Sequence, residues 1–152
     1  YGPWGRPDMA LFLFTKAIFE DKPINVFNNG NMIRDFTYID DITESIFRLL
    51  IRPPLEKNFY NIKKDNKSFV PYNIFNIGNN SPRRLLDYVN IIEENLNLKA
   101  NKKFLPIQKG DVISTKSSTK KLYDWINFKP NTPIELGVKN FVEWYKNFYL
   151  NS

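Results

Sequence analysis

Asn73-Ile74-Phe75-Asn76-Ile77-Gly78-Asn79-Asn80-Ser81-Pro82 is the stretch whose reading decides the fold. Asn73 to Ile77 alternates apolar and polar residues in the manner of a buried strand, and Gly78 ends it. Ser81-Pro82 then opens a helix whose Leu85, Leu86, Val89, Ile92 and Leu96 share one face. A strand, a glycine turn and a helix in succession make one arm of an α/β sheet.

Upstream, Pro7 suits a first helical position with Asp8 at the positive end of the dipole. Leu11, Phe12, Phe14, Ala17 and Ile18 mark the apolar face of a helix ending near Asp21. Ile24 to Phe27 reads as a short strand, Asn28 to Asn31 as a tight turn and Ile33 to Ile39 as a second strand, joined most simply as a hairpin. Asp40 or Asp41 caps the next helix, through Ile42, Ile46, Leu49 and Leu50, and Pro53-Pro54 stops it. Residues 52 to 72 are polar with little periodicity and read as an exposed insertion.

Downstream, Phe104, Leu105 and Ile107 suggest a strand, Gln108 to Asp111 a turn, and Ser117 to Trp125 a short helix. Thr132-Pro133-Ile134-Glu135 has capping-box spacing for a final helix through Val138, Phe141, Val142, Tyr145 and Phe148. The expected class is α/β, with too few strands for a complete doubly wound sheet. The chain opens at Tyr1 directly into a Gly/Pro-rich turn, and the expectation is a piece of a longer ordered structure.

Composition narrows the chemistry. The 152 residues, 42% hydrophobic and 16% aromatic, suffice for one core. With neither cysteine nor histidine, disulfides, thiolate metal sites and histidine acid–base chemistry all drop out. The longest apolar stretches, such as Ala10 to Phe14, fall far short of a membrane span, so a soluble, cytoplasmic protein without membrane partners is expected. The net charge of +6 comes from scattered lysines, while the aromatics fall at core positions; nucleic-acid binding, which needs clustered cations and aromatics, is the weaker rival.

Four motifs carry a family resemblance, in order along nearly the whole chain: Tyr1-Gly2-Pro3-Trp4-Gly5-Arg6-Pro7-Asp8-Met9; Gly30 followed by Arg34-Asp35-Phe36-Thr37-Tyr38-Ile39-Asp40-Asp41-Ile42; Asn76 to Pro82; and Gln108-Lys109-Gly110-Asp111-Val112. The chain resembles the NAD-dependent epimerase/dehydratase branch of the extended short-chain dehydrogenase/reductases, with the UDP-glucuronate 4-epimerases the nearest likeness. The resemblance implies the C-terminal substrate-binding lobe of a Rossmann-type fold, here incomplete over residues 1–152. In that family a Gly-rich Rossmann turn holds NAD, which takes hydride from carbon 4 of the sugar and returns it to the opposite face, beside a tyrosine and lysine four residues apart. The Gly-rich turn has no counterpart in this sequence, and no tyrosine and lysine at that spacing stand in a matching context. The chain alone is therefore expected to be inactive, with no catalytic residue of its own, Tyr1, Gly2 and Pro3 at the cleft edge, and a homodimer formed by the full-length protein through the missing half.

The same resemblance implies residue roles. Arg34 faces the substrate diphosphate, with Arg6 close to the same ligand, and a guanidinium suits phosphate geometry. Asp111 accepts from both ribose hydroxyls, while Gln108 stands where relatives often have an arginine, leaving Lys109 as the local cation. Val26 and Phe27 belong to the stretch Pro23-Ile24-Asn25-Val26-Phe27, which resembles the segment that receives uracil by main-chain bonds and an aromatic face. On the residues alone, Arg34 pairing with Asp35, a surface Arg6, an ordinary turn at Asp111 and a core Phe27 stay open. Asp40 and Asp41 read as helix-start carboxylates and not as a metal pair. A non-catalytic nucleotide-sugar-binding module is the other reading of the bare sequence.

Overall fold

The computed structural model describes residues 1–54 and 72–150. Five helices pack around two small sheets: α1 (Ala10–Phe19), β1 (Ile24–Val26), a 3-10 turn (Phe27–Gly30), β2 (Ile33–Arg34), α2 (Ile39–Leu50), β3 (Arg83–Arg84), α3 (Leu85–Leu96), β4 (Lys102–Phe104), α4 (Lys120–Ile126) and α5 (Ile134–Tyr149). The mixed α/β class is as expected. The region read as an exposed insertion lies mostly outside the described residues.

The hairpin is not formed. Asn28, Asn29 and Gly30 all adopt positive φ, and these successive left-handed residues curl the chain into one turn instead of returning it alongside β1. Only Gly30, at φ 80° with the Leu86 side chain against its Cα, has no room for a Cβ; an asparagine tolerates the conformation at the other two. β1 pairs in parallel with β4, Ile24 opposite Lys102 and Val26 opposite Phe104, and the crossover runs through α3. β2 pairs antiparallel with β3, Ile33 opposite Arg84.

The core follows the apolar faces read from the sequence. Leu11, Phe14 and Ile18 of α1, Tyr88, Val89 and Ile92 of α3, and Val138, Phe141 and Val142 of α5 enclose Ile24 and Val26 in one cluster. Each such side chain contributes about 1.5–3 kcal/mol of burial. Tyr88 stacks on Phe36 at 4.0 Å between ring centroids, tying the chain after β2 to α3.

Element ends depart from the sequence reading for local reasons. α1 starts at Ala10 because Met9 is extended and Asp8 is drawn into an ion pair with Arg6. Tyr38 stands at the N-cap of α2, so Asp40 and Asp41 lie in its first turn; Asp41 accepts instead from the Thr132 N–H at 2.9 Å. That bond and the absence of any side-chain cap on α5 replace the expected capping box. Residues 73–77 form no ladder among the described residues: Ile74 is 73% exposed, and Lys121 holds its carbonyl at 2.8 Å. α3 begins at Leu85, after β3, because Ser81 is committed elsewhere, its N–H to the Asp35 carboxylate. β4 lies two residues ahead of the expected strand, and α4 starts at Lys120. Among the described residues no helix is long and apolar enough to cross a membrane.

Candidate functional site

β1 lies at the edge of its sheet, with a cavity of about 680 Å³ against it that is walled by α1, by residues 34–36 and by the start of α3. Most of its wall is apolar, including Leu13, Phe14, Met32 and Leu85; Arg34 and the carboxylates of Asp8, Asp35 and Asp111 supply charge. Phe27, Arg34 and Asp111, separated by as many as 84 positions, all line this one cavity. A concave apolar site with a few convergent polar groups is what a small organic ligand requires.

Arg34 is held in place. Its Nη2 donates to Asp111 Oδ1 at 2.8 Å, and its Nη1 donates to the carbonyls of Ile33 at 3.0 Å and Ile113 at 3.1 Å. The side chains remain 23% and 31% exposed, so a ligand can reach both. The second Asp111 oxygen has no partner among the described bonds, while Oδ1 also takes the Val112 N–H at 2.8 Å. The guanidinium is aimed by main-chain acceptors that it does not need to leave, and a phosphate can displace Asp111 alone.

Val26 does not line the cavity. It is fully buried, and its carbonyl accepts the Leu105 N–H at 2.9 Å. In a parallel ladder, alternate residues turn their main chain to the same neighbour, and Ile24 and Val26 are the pair that face β4. Asn25 therefore turns its N–H and carbonyl to the opposite edge, and both Asn25 and Phe27 line the cavity. Asn25 lies within the segment read for uracil but is not singled out in it, though the two-residue alternation along Ile24 to Phe27 is the signal that separates it from Val26.

Arg6 is also outside this cavity. Its guanidinium forms a two-pronged pair with Asp8, Nε to Oδ1 at 3.1 Å and Nη2 to Oδ2 at 2.5 Å, and it edges a smaller adjoining hollow that shares Tyr1 and Met9. Tyr1 walls the main cavity while its main chain is fixed by bonds with Thr37 and Ile39. Gly2 is buried, and a Cβ there would lie 2.5 Å from Ile39 Cγ2. Burial pushes the Tyr1 phenol well above its ordinary range, with Tyr38, Asp41 and Glu135 adding to the effect; burial does the same to Tyr88. Both phenols are neutral at physiological pH. Neither hydroxyl has a hydrogen-bond partner. Among the described residues no group of three carboxylates or other ligands could hold a metal ion.

The glycines do not fit a dinucleotide pyrophosphate. Such a cradle needs open Cα positions in a turn between a strand and a helix N-terminus. The space beside Gly2 is filled by Ile39, that beside Gly30 by Leu86, that beside Gly78 by Ser117 and that beside Gly137 by Tyr1, while the Gly2 carbonyl would lie 3.0 Å from a Cβ at Gly5. Gly110 is open, but the residues that follow it, Asp111 to Thr119, form no helix.

Comparison with known proteins agrees with this architecture. Residues 1–63 match the model of the NAD dependent epimerase/dehydratase family. An uncharacterized 37.6 kDa protein of Escherichia coli O111:H- is 52% identical over 98% of this chain and 45% of its own length. A probable UDP-glucuronate 4-epimerase of Rhizobium meliloti is 43% identical, again over 98% of this chain and 45% of its own length. The crystal structure of the UDP-glucuronic acid 4-epimerase of Bacillus cereus, in complex with UDP-glucuronic acid and NAD, superposes with a TM-score of 0.80 at 30% identity, over 98% of this chain and 43% of that one. The chain thus spans less than half the length of the relatives it matches. Within that span, sequence and fold agree that it belongs to the NAD dependent epimerase/dehydratase family.

Proposed function

We propose that this chain holds the UDP portion of a UDP-uronate in an NAD-dependent nucleotide-sugar epimerase, the whole protein interconverting UDP-glucuronate and UDP-galacturonate. The observation that carries the reading is the meeting of Phe27, Arg34 and Asp111 in one cavity, within a chain whose relatives include named UDP-glucuronate 4-epimerases. Arg34 takes the diphosphate in exchange for Asp111. The released Asp111 carboxylate accepts from the ribose hydroxyls, which a carboxylate does for both at once. The base lies on Phe27 along the free edge of β1, where the main chain of Asn25 offers a donor and an acceptor. Arg6, once free of Asp8, reaches the sugar end.

NAD, whose cradle these glycines do not make, is assigned to the N-terminal part of the protein, outside residues 1–152, together with the groups that move protons. Binding energy gathered on the non-reacting UDP handle positions the hexuronate there. A cytoplasmic setting and a homodimer built through the rest of the protein accompany this reading. Calorimetric titration of the chain with UDP-glucuronate, UDP and ADP tests it. Binding of UDP and UDP-glucuronate in preference to ADP supports it; no binding, or equal binding of ADP, sinks it. A steeply salt-dependent affinity for single-stranded DNA would favour the nucleic-acid rival instead.

A further inference from the structure

We propose that Asp35 is a positioning residue, whose carboxylate sets the register between the segments carrying Arg34 and Asp111 and so shapes the nucleotide-diphosphate site. This rests on the reading of that site given above. Asp35 Oδ2 accepts from the N–H groups of Asn80 and Ser117, and Oδ1 from that of Ser81, each at 3.1 Å. Its own N–H donates to Thr115 Oγ1 at 3.1 Å. Three donors converge on one side chain. Only an acceptor-only group satisfies them; an asparagine turns its own N–H₂ toward one set of amides.

The geometry points past local stability because of what these bonds hold. Besides the two bonds of the Arg34 guanidinium to Ile113 and Asp111, segment 111–117 hangs on Ile33 to Asp35 by four contacts: the Ile33 N–H to the Ile113 carbonyl at 2.9 Å, the Thr115 N–H to the Ile33 carbonyl at 3.1 Å, and the two Asp35 bonds to Thr115 and Ser117. Asp111 lies at the near end of that segment and Arg34 beside Asp35 on the strand. A slip of two residues along the strand would move Asp111 by roughly 7 Å, beyond reach of Arg34. Backbone bonds alone recur with each two-residue step and do not forbid such a slip. The Asp35 carboxylate does, together with Gly78, because Ser117 is the residue whose small side chain fills the space beside Gly78, and there its N–H meets the carboxylate that also takes those of Asn80 and Ser81. Gly78 leaves the space in which Ser117 and Asp35 meet.

The test is UDP affinity of the unaltered chain, Asp35→Asn, Asp111→Asn and the double variant, by calorimetry at a temperature where circular dichroism shows each to be folded. Asp35→Asn is expected to weaken UDP about tenfold, and to add nothing once Asp111 is already asparagine. A lowered melting temperature with affinity within about twofold of the unaltered chain overturns the proposal, as do effects that simply multiply, since either is what a purely structural carboxylate gives. Should Asp35→Asn not fold, Thr115→Val removes the neighbouring bond on the same segment. A loss of about three- to tenfold supports the role, and no loss overturns it. An unaltered chain that ignores UDP removes the underlying reading and this role with it, whereas UDP binding that depends on Arg34 but not on Asp35 removes only the role.

Discussion

Arg34 Nη2 and Asp111 Oδ1, 77 positions apart in sequence, lie 2.8 Å apart at the mouth of the main cavity. In the free chain the residue assigned to phosphate and the residue assigned to ribose neutralise each other. A nucleotide diphosphate takes over the guanidinium and leaves the Asp111 carboxylate to the ribose hydroxyls, an exchange that a pair still 23% and 31% exposed tolerates better than a fully buried one.

Replacing Arg34 by alanine removes the only side chain in the cavity wall suited to a bidentate phosphate contact. UDP affinity is expected to fall about ten- to a hundredfold, with uridine little changed. Lysine at this position restores part of the loss, since it keeps the charge without the fork. Calorimetry with UDP and uridine on the three proteins checks both statements.

Asp111→Asn separates the roles from the other side. The variant keeps its shape but weakens the acceptor for the ribose hydroxyls, so uridine is expected to lose about tenfold in affinity, and UDP less, because the amide no longer competes with phosphate for Arg34. Uridine bound as tightly as by the unaltered chain contradicts the assignment of Asp111 to the ribose.

Glu93 is expected to contribute to the loss of stability in acid. Burial raises the affinity of its carboxyl for a proton, but bonds from Lys102, the Ala100 N–H at 3.0 Å and Lys99 at 3.1 Å outweigh it and hold the group below the ordinary glutamate range. A lowered value in the folded state means stabilisation that is complete above the unfolded-state value and is lost as pH falls through the folded one. Glu93→Gln is therefore expected to cost about 1–3 kcal/mol at neutral pH and to flatten the loss of stability below roughly pH 4.5. Urea unfolding at a series of pH values measures it.

Gly78→Ala drives a Cβ into the Ser117 side chain and to within 3.5 Å of Asp35 Oδ2. A loss of about 1–3 kcal/mol is expected on thermal or urea unfolding, as for other overpacked sites. Adding Ser117→Gly relieves the overlap and recovers most of it. Independent, additive effects of the two substitutions would contradict the contact.

Much of this was legible in the sequence because helices advertise themselves: the apolar faces of α1, α3 and α5 supply most of the core, although the fully buried Tyr88 was not read and Phe148, read on the α5 face, is exposed. Strand partners were not, since nothing in Ile24 to Phe27 distinguishes a hairpin neighbour from Lys102–Phe104, brought alongside by a crossover. Arg34, Phe27 and Asp111 were named from motifs, and the fold brings them to one cavity. Val26 was misplaced by a single step of the two-residue alternation, and Arg6 was drawn off by Asp8, an ion pair that spacing alone does not reveal. Asp35 looked like a neighbour for Arg34; its true partners are main-chain amides far along the chain, and no local pattern encodes them.

The most direct test of the central claim is a crystal structure of the chain grown with UDP. The account expects the Arg34–Asp111 pair to be open, the diphosphate within hydrogen-bond reach of the Arg34 guanidinium, the ribose hydroxyls on Asp111 and the base over Phe27 beside Asn25. UDP bound elsewhere, with the Arg34–Asp111 pair intact, would contradict it.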